Sequence, residues 1–242
     1  MTSRVYIDQP LSAGGTITLP EDAARHLVQV LRMRLGDSFI TFNGQGGEYA
    51  ATLSTVSKRE AQASIGEFNT VDRESPLNIT LAQCVSKGDR MDYTLQKAVE
   101  LGVSNIVPLI SSRTVVKLDA ERWAKKIEHW QGVIISACEQ SGRTRVPQLA
   151  AHQDLDYWLR SSANDSLKLV LAPGASKQLR QLDPTSRAIT LLIGPEGGLS
   201  EVECTLAAKH EFIPLALGPR ILRTETAGVA ALAAIQAQWG DW

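Results

Sequence analysis

Cysteine is scarce in this chain: Cys84, Cys138 and Cys204 are the only three, they are widely scattered, and none belongs to a CxxC pair. Such a set supports neither a disulfide framework nor a cysteine-ligated metal, and it reads as buried thiols. Neither sign of charge is in excess, since 25 basic residues meet 26 acidic ones and the formal net charge is -1. This balance counts against the simplest picture of a nucleic-acid binder as a broadly basic protein, so any contact with RNA has to be local. No run of about 18 apolar residues is available to span a bilayer, and MTSRVYIDQPLSAGG lacks the charged-then-apolar order of a signal peptide. A cytoplasmic protein with no membrane partner is expected. Internal repeats and low-complexity tracts are missing as well. What is there, 43% apolar and 21% charged residues over 242 positions, is an ordinary globular composition with room for two unequal domains.

The first seventy or so residues read as strands joined by turns: RVYI, TITLP, DSFITFNGQGGEYAATLSTV and EAQASIGEF. Ser38 to Asn43 and Glu48 to Val56 flank the glycine-rich Gly44-Gln45-Gly46-Gly47, a hairpin whose loop needs positive φ angles. The segment EDAARHLVQVLRMR, acidic early and basic late with Leu27, Val30 and Leu31 at helical spacing, predicts a short amphipathic helix. A small barrel is the expected first domain. Asn69 to Pro76 is polar and carries a proline, which marks the linker. Beyond it strands and helices alternate, from NITLAQCV through a helix over Ala120 to Ser141 to a last helix ending at Trp239. Alternation of this kind predicts a mostly parallel sheet covered by helices, with ligands held outside the carboxyl ends of its strands.

Two loops stand out. In LLIGPEGGLSEVE an apolar strand runs into Gly194-Pro195-Glu196-Gly197-Gly198 and then into a helix that Ser200 and Glu203 open as a capping box. In LALGPRILRTETAGVAALAAIQA a second strand enters Gly218-Pro219, passes Arg220 and Arg223, and reaches a helix at Thr224 to Thr226. Neither loop is a GxxxxGK or GxGxxG fingerprint, which disfavours nucleotide-dependent oxidoreductases and P-loop enzymes. Two such turns suggest one pocket. The Ala-rich last helix fits a tight dimer contact and a well-packed core helix equally.

Several motifs in order, RHLVQVLRMRLGD, DRESPL, KAVELGVSNIVPL, SSRTVVKLD, ACEQSGR, GPEGGLS and LGPRILRTETA, resemble the SPOUT methyltransferases. Within them the likeness is to the RsmE type, which methylates N3 of a uridine in small-subunit ribosomal RNA, and it covers nearly the whole chain. It implies an α/β protein: a PUA-like β-barrel domain over 1–72 for RNA binding, then a SPOUT methyltransferase domain over 73–242 with a C-terminal deep trefoil knot. It also implies a homodimer, S-adenosyl-L-methionine as cofactor, no metal, and 16S rRNA of the small subunit or its assembly intermediate as partner. The cofactor positions carried over are Leu171-Ala172-Pro173-Gly174, Ile193-Gly194-Pro195-Glu196-Gly197-Gly198, Leu217-Gly218, Arg220-Ile221-Leu222 and Thr226.

Uridine N3 carries a proton, so transfer needs a base and a cation beside the uracil oxygens. Arg223 is the candidate cation, with pairing to Glu225 as its bland alternative. Glu196, Glu225 and Glu139 are candidate bases among which the residues alone do not choose, and solvent is the alternative proton acceptor. Arg25, His26, Arg32 and Arg34 are the candidate RNA contacts of the first domain, against a solvated helix face. Arg143 is an RNA or interface candidate, although Gly142 and Arg143 also fit plain helix-end chemistry. A SPOUT enzyme with another RNA target and a noncatalytic RNA-binding protein are the competing readings. Nucleoside mass analysis separates the first, and tight RNA binding without methyl transfer the second.

Overall fold

Period-two patterning sets the first hairpin. In β4 (Glu48–Val56) Ala51 and Leu53 are buried while Ala50 and Ser54 face out, and β3 (Ser38–Phe42) pairs with it antiparallel from Ser38 opposite Thr52 to Thr41 opposite Tyr49. Gly44, Gly46 and Gly47 between them have φ of +81°, +96° and +68°, as the hairpin reading requires. The computed structural model describes residues 2–57, 60–161, 165–184 and 186–242. With β1 (Arg4–Tyr6), β2 (Thr16–Thr18) and β5 (Ala61–Asn69) the hairpin forms a five-stranded sheet of order β1-β3-β4-β5-β2, in which only the β1–β3 pair is parallel. Val5, Ile7, Leu27, Phe39, Leu53 and Ile65 form its apolar core.

The chain divides into two units: Met1–Glu74 with Cys138–Val146, and Ser75–Ala137 with Pro147–Trp242. In the first, Glu74 gathers the later segment. Its Oε2 accepts from Arg143 Nε and Nη2 at 2.8 and 2.5 Å, and its Oε1 from the backbone N–H of Thr144 and Arg145 at 3.1 Å each. Arg143, the RNA or interface candidate, is therefore buried in an ion pair within this unit.

The helix expected from Glu21 to Arg34 is also corrected. It is α1 (Glu21–Arg25) followed by a π-helical turn over His26–Val30 closed by Leu31 N–H to His26 O at 2.9 Å, and Arg32 at φ +57° ends it. The wider turn rotates later residues off the helical period. Leu27 stays buried, but Val30 and Leu31 turn outward, and Arg25 and Arg32 are exposed. Arg25 pairs locally with Asp22 at 2.6 Å.

The second unit is the helix-covered parallel sheet. Its strands β6 (Asn78–Cys84), β7 (Asn105–Ile110), β8 (Gln148–Leu149), β9 (Gln153–Asp154), β10 (Leu167–Leu171), β11 (Ala188–Ile193) and β12 (Ile213–Leu215) run in the order β12-β10-β11-β6-β7-β8, with β9 also on β7, and every pairing is parallel. The strands are nearly continuous apolar runs, as burial on both faces demands. The intervening helices are α2 (Arg90–Glu100), α3 (Ala120–Ser141), α4 (Leu155–Ser161), α5 (Glu201–Lys209) and α6 (Thr224–Trp239). No helix of the described residues is long and apolar enough to cross a membrane. Because β12, β10 and β11 are parallel neighbours, the three loops leaving their carboxyl ends emerge at one sheet edge.

Helix α2 ends in a Schellman motif: Gly102 N–H donates to Val99 O and Val103 N–H to Ala98 O, both at 3.0 Å, with Gly102 at φ +80°. A Cβ on Gly102 would lie 2.7 Å from Gln236 Nε2 and 2.9 Å from Ser75 Cβ. Left-handed strain and overpacking combine, so Gly102→Ala is expected to lower unfolding free energy by about 2 kcal/mol or more. Urea titration checks this, and a loss under about 0.5 kcal/mol would refute the role given to this turn.

Candidate functional site

The loop after β11 is shaped by its glycines. A Cβ at Gly194 would stand 3.1 Å from Leu199 N, because the loop folds back on itself, and Gly198 closes the turn at φ +66° with its N–H on Pro195 O at 2.9 Å. Ser200 and Glu203 make the expected capping box on α5, and Glu203 Oε1 also takes the Ser112 N–H at 2.7 Å. Partial burial raises the Glu203 carboxyl, but the Ser112 and Ser200 donors outweigh it and hold the pKa below the ordinary value.

The loop after β12 turns at Gly218, φ +82°, and ends at Arg223, the N-cap of α6. Thr224 ties the two loops together. Its Oγ1 donates to Gly194 O at 2.7 Å and accepts from the buried Gln83 Nε2 at 3.0 Å. The loop after β10 joins them through Ala172 N–H to Leu215 O at 3.2 Å. Together they wall a cleft of about 680 Å³ with an apolar floor that includes Leu171, Ile193, Leu215 and Leu222.

All the cofactor positions named from the sequence line this cleft except Thr226, which is exposed on α6 and is not part of the wall. Arg223 and Glu225 line it too. Glu139 belongs to the other unit, where its carboxylate accepts from Tyr6 N–H at 2.9 Å and burial pushes its pKa up. Arg25, His26, Arg32, Arg34 and Arg143 are likewise in the first unit. The sequence reading missed Arg90, Arg113, Leu199, Cys204, Leu215, Ala216, Thr224 and Ala227. The signal for the two arginines was their place just after β6 and β7, where a parallel sheet presents ligand-facing loops.

The acids of the cleft are arranged around Arg90. Its Nη1 lies 3.0 Å from Glu196 Oε1 and its Nε 3.8 Å from Glu225 Oε1, so Glu225 pairs with Arg90 and not with Arg223. Arg223 is exposed and makes no ion pair among the described residues. Partial burial pushes the Glu196 carboxyl up, yet the Lys87 N–H, its own backbone N–H and Arg90 together outweigh it and set the pKa below the ordinary value. An acidified carboxylate is a weak base, which counts against Glu196 as proton acceptor. Glu225 Oε2 is buried and has no hydrogen-bond partner among the described residues.

A parallel α/β domain whose glycine-bearing turns wall one cleft at the carboxyl edge of its sheet is a small-molecule-binding α/β domain. The family description "RNA methyltransferase domain" matches residues 73–236, and "RNA methyltransferase PUA domain" matches residues 19–66. The ribosomal RNA small subunit methyltransferase E of Buchnera aphidicola is 34% identical over 238 residues, covering 98% of this chain and 97% of the relative. The crystal structure of the Neisseria gonorrhoeae ribosomal RNA small subunit methyltransferase E bound to S-adenosyl methionine has 43% identity and a TM-score of 0.94, with 100% of both chains covered. A Legionella pneumophila chain solved with bound cofactor SAM has 44% identity and a TM-score of 0.97 over 100% of both chains. The chain belongs to the RNA methyltransferase family, in the group of ribosomal RNA small subunit methyltransferase E proteins.

The Glu196 shift sets a pH dependence. A carboxylate whose folded pKa is depressed contributes stability that is present above its unfolded pKa and lost as pH falls through the folded value. Wild type is therefore expected to exceed Glu196→Gln by up to about 1 kcal/mol at neutral pH, because solvent screens a pair this exposed. Denaturant midpoints measured from neutral to acid pH should converge below the ordinary carboxylate range. A gap that persists there would show that the stabilisation is not electrostatic.

Proposed function

We propose that this protein transfers a methyl group from S-adenosyl-L-methionine to N3 of a uridine in 16S rRNA of the small subunit or its assembly intermediate. The single observation that carries this reading is the convergence of the Gly194 and Gly218 turns on one cleft, held by Thr224. The cleft fits the cofactor. Its volume lies in the range of small-molecule sites, and at Gly194 a side chain would fill the space where the loop folds back. Leu171 to Gly174, Ile193 to Gly198, Leu217, Gly218 and Arg220 to Leu222 would hold it through backbone edges and apolar contacts. When bound, the cofactor supplies a methyl already activated at a sulfonium.

The residues of the chain then handle the uridine. Arg223, free of acidic partners, stabilises negative charge on the uracil oxygens as the N3 proton leaves. Glu225 accepts that proton, since it is half-buried in the cleft with one oxygen unpartnered, while Glu196 is engaged by Arg90 and Lys87. The surrounding architecture belongs to the same proposal: a PUA-like barrel over 1–72 that binds RNA through Arg25, His26, Arg32 and Arg34, and a domain over 73–242 carrying a deep trefoil knot. In that reading the protein is a cytoplasmic homodimer that packs along the small residues of α6.

Small subunits lacking the modification, incubated with the protein and methyl-labelled cofactor, should yield labelled 3-methyluridine on nucleoside mass analysis. Label on another base or on ribose would redirect the substrate, and no label would remove the activity. Arg223→Ala is expected to slow single-turnover transfer about a hundredfold while cofactor uptake stays close to wild type. Near-normal single-turnover methylation would take Arg223 out of the mechanism.

A further inference from the structure

We infer that Arg113 is a phosphate-binding residue at the mouth of the cleft, gripping the RNA backbone with the guanidinium edge that the cofactor loop leaves open. This rests on the methyl-transfer reading of the cleft. Arg113 stands in the turn after β7, and that turn is held from three sides. Ser111 N–H donates to Thr114 Oγ1 at 3.0 Å, Thr114 N–H to Ser111 O at 3.0 Å, and Ser112 N–H to the buried Glu203 at 2.7 Å. The backbone under Arg113 is thus fixed to the helix that the cofactor loop opens.

Its side chain is placed as tightly at one end. A Cβ built on Gly197 would lie 3.4 Å from Arg113 Cβ and 3.5 Å from its Cδ, so the stem packs over a residue with no side chain. Nη1 donates to Gly197 O at 2.8 Å and to Leu199 O at 3.3 Å. A guanidinium carries five N–H donors, and these two bonds use those of Nη1. Nε–H and the Nη2 pair have no partner among the described residues, and that edge is the planar fork that matches phosphate or carboxylate oxygens two at a time.

The charges around it favour an anion from outside. Four arginines line the cleft against two glutamates, in a chain whose net charge is -1, and Arg90 bonds Glu196 and lies 3.8 Å from one oxygen of Glu225. Arg113 is exposed, so its open edge meets a ligand that remains outside the cleft. A uridine whose base enters the cleft brings its flanking phosphates to the mouth. The loop that holds the cofactor and the charge that holds the RNA then share one side chain.

Arg113→Gln keeps an amide N–H for the Gly197 carbonyl but loses the charge, whereas Arg113→Lys keeps the charge and loses the fork. Binding of an unmodified small-subunit RNA transcript is titrated across roughly 50 to 200 mM salt, and S-adenosylmethionine uptake is measured by calorimetry on the same full-length proteins. For Arg113→Gln the RNA affinity should fall about tenfold and the slope of log K against log salt should drop by about one, with cofactor affinity within about threefold of wild type. Arg113→Lys should keep the slope and recover only part of the affinity. An unchanged slope in Arg113→Gln, or a loss of cofactor affinity that accounts for the whole effect, would overturn the inference. Wild type that takes up no cofactor would overturn the reading of the cleft, and this inference with it.

Discussion

The site depends on one hydroxyl. β11 and β12 are not neighbours in the sheet, because β10 lies between them, so the turns that follow them have no ladder in common. Thr224 supplies the missing link: its Oγ1 donates to Gly194 O in one turn while its backbone begins the helix that ends the other. Gln83 on β6 completes the link from below by donating to the same oxygen, so a hydroxyl that is a single donor has its proton committed to Gly194. Thr224 and Gln83 are buried, where an unpaired group costs about 1–3 kcal/mol and a satisfied one fixes geometry. Gly228, one turn into α6, lets that helix approach, since a Cβ there would meet Gln83 Oε1 at 3.3 Å.

With the turns fixed, the electrostatics of the cleft follow from where Arg90 sits. It stands at the start of α2, close to both glutamates, and lowers the basicity of Glu196 directly. Glu225 keeps a greater separation and an oxygen without a donor, so two carboxylates on one wall acquire different chemistry. Glu139, raised by burial, has its carboxylate on the Tyr6 N–H of the other unit. Three acids that looked equivalent as letters are thus distinguished by what donates to them.

What could be read in advance was what local chemistry determines. The hairpin glycines, the capping box of Ser200 and Glu203, the helix over Ala120–Ser141 and the two glycine turns each depend on residues within a few positions of one another. What could not be read depends on distant partners. Arg143 is buried because Glu74, far earlier in the chain, takes its guanidinium. The π-helical turn after Arg25 left no mark in the pattern of Leu27, Val30 and Leu31, which suits a regular helix and is broken only by the geometry adopted. Thr226 fell outside the cleft because continuity of a motif is not continuity of a surface. Arg90 belongs to none of the motifs and Arg113 sits in SSRTVVKLD with nothing local to mark it as a cleft residue, and only the order of the parallel strands brings their loops to the glycine turns.

That last point bears on how a chain with no excess of positive charge can serve a polyanion. Attraction over a distance needs a field from many charges, whereas holding a phosphate in place needs one guanidinium whose donors are already oriented. In this cleft the orientation comes from carbonyls that the glycine turn exposes: Gly197 O and Leu199 O fix one face of Arg113 only because the loop carries no side chain between them and the stem. The glycines therefore do two things with one geometry, shaping a cradle on the inner side and aligning a cation on the outer side. A balanced overall charge is then no obstacle, because Arg113 is placed by backbone carbonyls and does not rely on numbers.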